Sequence, residues 1–105
     1  MVQGEYLSIM NLDELQKKRD QILKIAAQHG ADNVRVFGSV ARGEAKAGSD
    51  VDFLIDVVDR SRFEWGGGGL LMDLEELLGC KVDLVTEKGL HRYLRDRILH
   101  EAVRL

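Results

Sequence analysis

The sequence predicts an α/β (α+β) domain, a small mixed β-sheet flanked by helices. Two patterns point there: apolar residues recur at helical spacing in some stretches and alternate at strand spacing in others, and the two kinds of stretch interleave along 105 residues. No repeat or linker divides them. A chain of this length, read as a single domain over 1–105, hides roughly two thirds of its unfolded surface, enough for one core.

Residues 1–10 carry no clear period and read as a loosely held lead-in or a short strand. Asn11 suits a helix N-cap with Glu14 three residues on, and Leu12, Leu15, Ile22, Leu23 and Ala26 form an apolar stripe that Gly30 ends. Residues 33–37 alternate Val34 and Val36 with polar neighbours, a strand that runs into a turn at Gly38. The stretch 39–49 starts as a short helix and turns at Gly43 and Gly48, and 51–58 is the second strand. Phe63 and Trp65, read as core anchors in preference to an exposed contact for a partner or an adenine ring, precede the four glycines 66–69, which neither a helix nor a strand interior favours. A mobile loop is expected there. Leu70, Leu71, Leu74, Leu77 and Leu78 make a helix closed by Gly79, residues 81–85 make the third strand, and a last helix starts near Leu90 with Leu94 and Ile98 on its buried side.

Fifteen Lys and Arg against 18 Asp and Glu leave a net charge of −3, which argues against nucleic acid as a direct partner. Cys80 alone forms no internal disulfide, and no basic start leads into an apolar run, so a cytoplasmic location is expected. No apolar stretch approaches the roughly 18 residues that cross a bilayer, so no membrane association is expected. Cys80 reads as a small buried filler. His29, His91 and His100 show no ligand spacing and read as surface residues.

Asp50 and Asp52 stand two apart at the start of a predicted strand, so the pleat sends both carboxylates to one face, about 7 Å apart along the backbone. The alternate phase, Val51, Phe53, Ile55 and Val57, is apolar and faces the core. Asp83, between Val82 and Leu84 on the third strand, joins them if the two strands pair. Carboxylates about 4 Å apart repel by roughly 4 kcal/mol at an effective dielectric near 20, so such a cluster calls for a cation. Magnesium fits, because it takes oxygen ligands from one or two carboxylates and keeps positions for water and phosphates. Asp56, in phase with Asp52, reads as a solvated or salt-bridged group. Upstream, Gly38 allows a phosphate to approach the backbone, Ser39 offers a hydroxyl donor, and Arg42 reaches a phosphate or an acidic neighbour.

Gly38-Ser39, ten intervening residues and then Asp50-Val51-Asp52, with Ala41-Arg42-Gly43 and Ser49-Asp50, resembles the signature of the DNA polymerase beta-like nucleotidyltransferase superfamily, in its minimal nucleotidyltransferase branch. The likeness covers about 34–85. It implies a palm-like fold, two magnesium ions on Asp50 and Asp52, Asp83 as the third acid that assists the metal and activates the attacking hydroxyl, and nucleotide phosphates on Gly38 and Ser39. The glycines 66–69 belong to no motif of the family. Small chains of this branch are commonly antitoxin partners of HEPN-domain RNases, and some transfer AMP from ATP to toxin tyrosines. The resemblance therefore implies a protein adenylyltransferase, with ATP as substrate and a HEPN toxin as acceptor. Two alternatives stay open: a non-catalytic antitoxin that occludes its toxin stoichiometrically, and an aminoglycoside-type small-molecule nucleotidyltransferase. A homo-oligomer also stays open.

Overall fold

The computed structural model describes residues 10–105. The lead-in expected over the first residues lies, for 1–9, outside the described residues. Asn11 accepts the Glu14 amide on its side chain at 2.9 Å and opens α1 (Leu12–Lys17). The single helix expected from the stripe is broken at Lys18, where φ is −99° and ψ 9°, and α2 (Arg19–Gln28) follows. The break falls in a charged run with no buried side chain to hold the backbone, while Leu15, Ile22 and Ala26 on either side are all buried. Gly30 then turns the chain at φ 74°, and its carbonyl accepts the amides of Val58 and Asp59.

The remaining elements are β1 (Ala31–Phe37), α3 (Gly38–Arg42), β2 (Val51–Val57), a 3-10 turn (Glu64–Gly67), α4 (Gly68–Leu78), β3 (Val82–Thr86), a second 3-10 turn (Glu87–Gly89), α5 (Arg92–Glu101) and β4 (Val103–Arg104). They form one mixed sheet in the order β3-β2-β1-β4. β1 runs antiparallel to β2 and β4, while β2 and β3 are parallel and are joined through α4. β4, only two residues long, is too short to show an alternation in the sequence. The core lies between the sheet and the helices α1, α2 and α4: Leu15, Ile22, Leu70, Leu74 and Leu78 meet Val36, Val51, Phe53 and Ile55. Leu54 is also fully buried, on the phase of β2 that carries Asp52 and Asp56. That phase is therefore only partly open to water.

Four further expectations are corrected. The glycines 66–69 are not a loop: Gly66 and Gly67 close the 3-10 turn at φ 62° and 93°, and Gly68 and Gly69 open α4. Close packing selects glycine at Gly67, where an added Cβ would lie 2.6 Å from the Phe63 ring and 3.1 Å from Leu84. Phe63 packs against the core, but Trp65 does not; at φ 55° its side chain is carried outward, 86% exposed. Finally, α5 begins at Arg92 and buries none of its residues, with Leu94 48% exposed, because it is held to the body through α3 rather than laid across the sheet. His29 is half-buried, its Nε2 2.7 Å from Asp73 Oδ2, and so ties α2 to α4 instead of standing on the surface.

No helix of the described residues is long and apolar enough to cross a membrane. The glycine packing yields a prediction. Gly67→Ala should destabilise by about 2–4 kcal/mol, from left-handed strain plus overpacking, while Gly66→Ala, which meets open space, should cost only about 1–2 kcal/mol of strain. Chemical denaturation measures both, and equal losses would contradict the packing role of Gly67.

Candidate active site

The strand registers bring together residues far apart in the chain. β1 ends with Phe37 opposite Asp52, and β2 sets Asp52 opposite Asp83 in the parallel ladder. Phe37, Asp52 and Asp83 thus lie in one row across the sheet, with the Gly38 turn directly beyond. Gly38 adopts φ 74°, and a Cβ there would run into the Asp52 carboxylate. Backbone conformation and close approach both require glycine at this position. Asp50 lies one residue before β2, and its charge reaches Asp52.

The Asp52 carboxyl is pushed up to about 6. Burial is the largest cause, followed by the Asp83 charge, a hydrogen bond to the Asp83 carboxyl and the Asp50 charge; Arg42 opposes them. Asp83 itself is exposed at the sheet end. Among the described residues no group of three or more His, Cys, Asp or Glu side chains already forms a cage for a metal ion. The chemistry of the donor set nevertheless fits a hard divalent cation: three carboxylates offer only oxygen, and the central one is poorly solvated and surrounded by like charge.

Beside the acids, α3 carries Ser39 and Arg42. The Arg42 guanidinium is held by two carboxylates, with Nε 2.9 Å from Glu44 Oε1 and Nη1 3.2 Å from both oxygens of Glu101. Glu101 Oε1 also accepts the Gly38 amide at 2.7 Å. Sequence reasoning missed Glu101. The signal was an acid ending a helix with otherwise solvated polar residues, and only the fold carries it to the Gly38 turn. Asp56 behaves as expected, bonded to Arg35 at 3.0 Å and to Asn33 at 3.0 Å, and Arg35 also pairs with Glu87 at 2.7 Å. Cys80 is half-buried, and burial together with Glu75 and Asp50 pushes its thiol up.

A mixed sheet that presents acids at one end, beside a glycine-serine turn and an arginine, is the architecture of a nucleotidyl-transferring enzyme. Residues 19–105 match the family profile described as a nucleotidyltransferase domain, and the chain belongs to that family. A Methanocaldococcus jannaschii relative, named as a candidate protein adenylyltransferase, is 41% identical over 90% of this chain and 97% of its own length. A solved structure described as a candidate minimal nucleotidyltransferase is 46% identical, with a TM-score of 0.78 over 91% of this chain and 97% of that one. A chain of a toxin–antitoxin crystal structure with AMP-PNP shares the fold at a TM-score of 0.65 and 21% identity, covering 81% of this chain and 69% of that one.

The raised Asp52 carboxyl makes stability depend on pH. Its folded value of about 6 lies above the ordinary 3.8, so the folded state keeps a proton that the unfolded chain has lost between those values. The stabilisation is full below pH 3.8 and is lost as pH rises through about 6. Asp52→Asn should therefore be more stable than the parent at pH 7.5, on the order of 1–2 kcal/mol, with the gap closing toward pH 4. Thermal unfolding at the two pH values checks it, and a gap independent of pH would contradict the assignment.

Proposed function

We propose that this chain is a magnesium-dependent protein adenylyltransferase that moves AMP from ATP to a hydroxyl, a tyrosine, of a HEPN-domain toxin and so acts as its antitoxin. The observation that carries the reading is the row in which Asp52 lies between Asp83 and the Gly38 turn. The named relative supports the transfer of adenylyl groups to protein, and the fold shared with a toxin–antitoxin chain supports the kind of partner. We assign Asp50, Asp52 and Asp83 to the metal and Gly38, Ser39 and Arg42 to the triphosphate.

In this reading Asp50 and Asp52 hold two magnesium ions, with Asp83 completing the ligand set. When bound, the ions neutralise the phosphates and stabilise the attacking and leaving oxygens of an in-line displacement. The chain itself does the rest. The bare backbone at Gly38 lets the triphosphate come close, the Ser39 hydroxyl donates to a phosphate oxygen, and Arg42 contributes positive charge and further donors. The Asp83 carboxylate, which is exposed, takes the proton from the attacking hydroxyl. The acceptor oxygen bonds to the α-phosphorus, the bond to the bridging oxygen breaks, and pyrophosphate leaves with that oxygen. Asp83 begins this step ionised and ends it protonated.

The test is incubation with ATP labelled in the α-phosphate, magnesium and a cognate HEPN protein. Label should pass to the partner, depend on magnesium and fall by at least about 100-fold in Asp50→Asn/Asp52→Asn, which should still fold. If the double variant keeps neutralising the toxin while transfer is absent from the parent too, stoichiometric occlusion replaces the enzyme reading. Label on an aminoglycoside instead would move the acceptor from protein to small molecule.

A further inference from the structure

Glu101 lies far along the chain from the Gly38–Asp52 motif, yet it touches two of the three groups assigned to the triphosphate. It is the last residue of α5, a helix with no buried residue of its own. Its side chain is only 20% exposed, and both oxygens are engaged. Oε1 accepts the Gly38 amide at 2.7 Å and Arg42 Nη1 at 3.2 Å, and Oε2 accepts Nη1 at 3.2 Å. Bonds to an ionised acceptor are stronger and shorter than neutral ones, and the 2.7 Å contact lies at that short end.

The consequences are local and directional. Gly38 sits in the left-handed region with its α-carbon pressed toward the Asp52 carboxylate, so a rotation of its peptide would move the turn against the acid row. The carboxylate of Glu101 holds that peptide through its N–H. Arg42 is long and solvent-exposed, and an unrestrained arginine of this kind has considerable rotamer freedom to lose. Glu44 on Nε and Glu101 on Nη1 remove that freedom, while neither is bonded to Nη2. One edge of the guanidinium is tied down and another is left to bind.

We infer that Glu101 is a positioning residue for the phosphate seat: it clamps the Gly38 amide and the Arg42 guanidinium, and so connects the end of α5 to the nucleotide site. The inference rests on the reading of the Gly38 turn and Arg42 as the seat that the triphosphate approaches, but the clamp itself can be tested without nucleotide. A carboxylate in this place has one rival role, an internal anion that blocks the seat, and the two roles predict opposite changes in affinity.

The experiment uses the full chain, with Glu101→Ala and the near-isosteric Glu101→Gln, which keeps an acceptor for the Gly38 amide but loses the charge on Arg42. Amide hydrogen exchange is followed by NMR at Gly38 and, as an internal control, at Val36 in the core of β1. Binding of AMP-PNP with magnesium is measured by calorimetry. Glu101→Ala should speed exchange at Gly38 at least about tenfold with Val36 unchanged, and weaken AMP-PNP binding by about 10- to 100-fold. Glu101→Gln should keep most of the Gly38 protection and lose an intermediate part of the affinity. Unchanged exchange at Gly38 in Glu101→Ala overturns the clamp, and tighter AMP-PNP binding overturns it in favour of the blocking anion. Equal acceleration at Gly38 and Val36 means a general loss of stability and also overturns it. If the parent binds no nucleotide, the functional reading fails, and the exchange rates still decide whether Glu101 holds the turn.

Discussion

The parallel pairing of β2 with β3 sets the Asp52 carboxylate beside that of Asp83, half out of water, and the architecture around the site follows from that placement. Two acids in one ladder row are unfavourable neighbours: they repel each other, and Asp52 also loses solvation. The apolar phase of β2, Val51, Phe53 and Ile55, is completely buried against the helices and leaves the strand no alternative register. A slip by one residue would turn Asp52 and Asp56 toward the helices and carry Val51, Phe53 and Ile55 out of the core. Core packing thus holds together an arrangement that its own charges disfavour.

Two acids in the same phase of β2 show how the protein handles such charge. Asp56 has an internal cation, the buried Arg35, which also pairs with Glu87 and is steadied by the carbonyl of Asn33 at 3.0 Å. Asp52 is not bonded to a cation of its own. The arginine nearest to it in the site, Arg42, is already committed to Glu44 and Glu101. The far end of the sheet is therefore electrostatically closed and the near end open to a cation from outside. That asymmetry along one strand supports the proposed use of magnesium at Asp50, Asp52 and Asp83.

Much of this was legible in the sequence. Alternation marked Val34 and Val36 in one strand and Val51, Phe53 and Ile55 in another, and each strand contributes a continuous buried row. Asn11 and Glu14 marked a helix start because capping is a local interaction. The candidate acids could be picked out because charge interrupts apolar strands at fixed spacing. What escaped were long-range events. The glycines 66–69 look like a flexible run until Phe63 and Leu84 close on Gly67. Trp65 looks like core until the left-handed turn carries it outward. Glu101 reaches Gly38 across 63 positions of sequence, and no local pattern encodes such a contact.

The most direct test of the central claim is the ionisation of Asp52, followed by carboxyl-carbon NMR in the presence and absence of magnesium. Without the ion, Asp52 should titrate near 6, and saturating magnesium should drive its midpoint down through the ordinary 3.8 as the cation replaces the proton among the three carboxylates. A midpoint that already lies at 3.8 without the ion and does not move when magnesium is added would contradict the account.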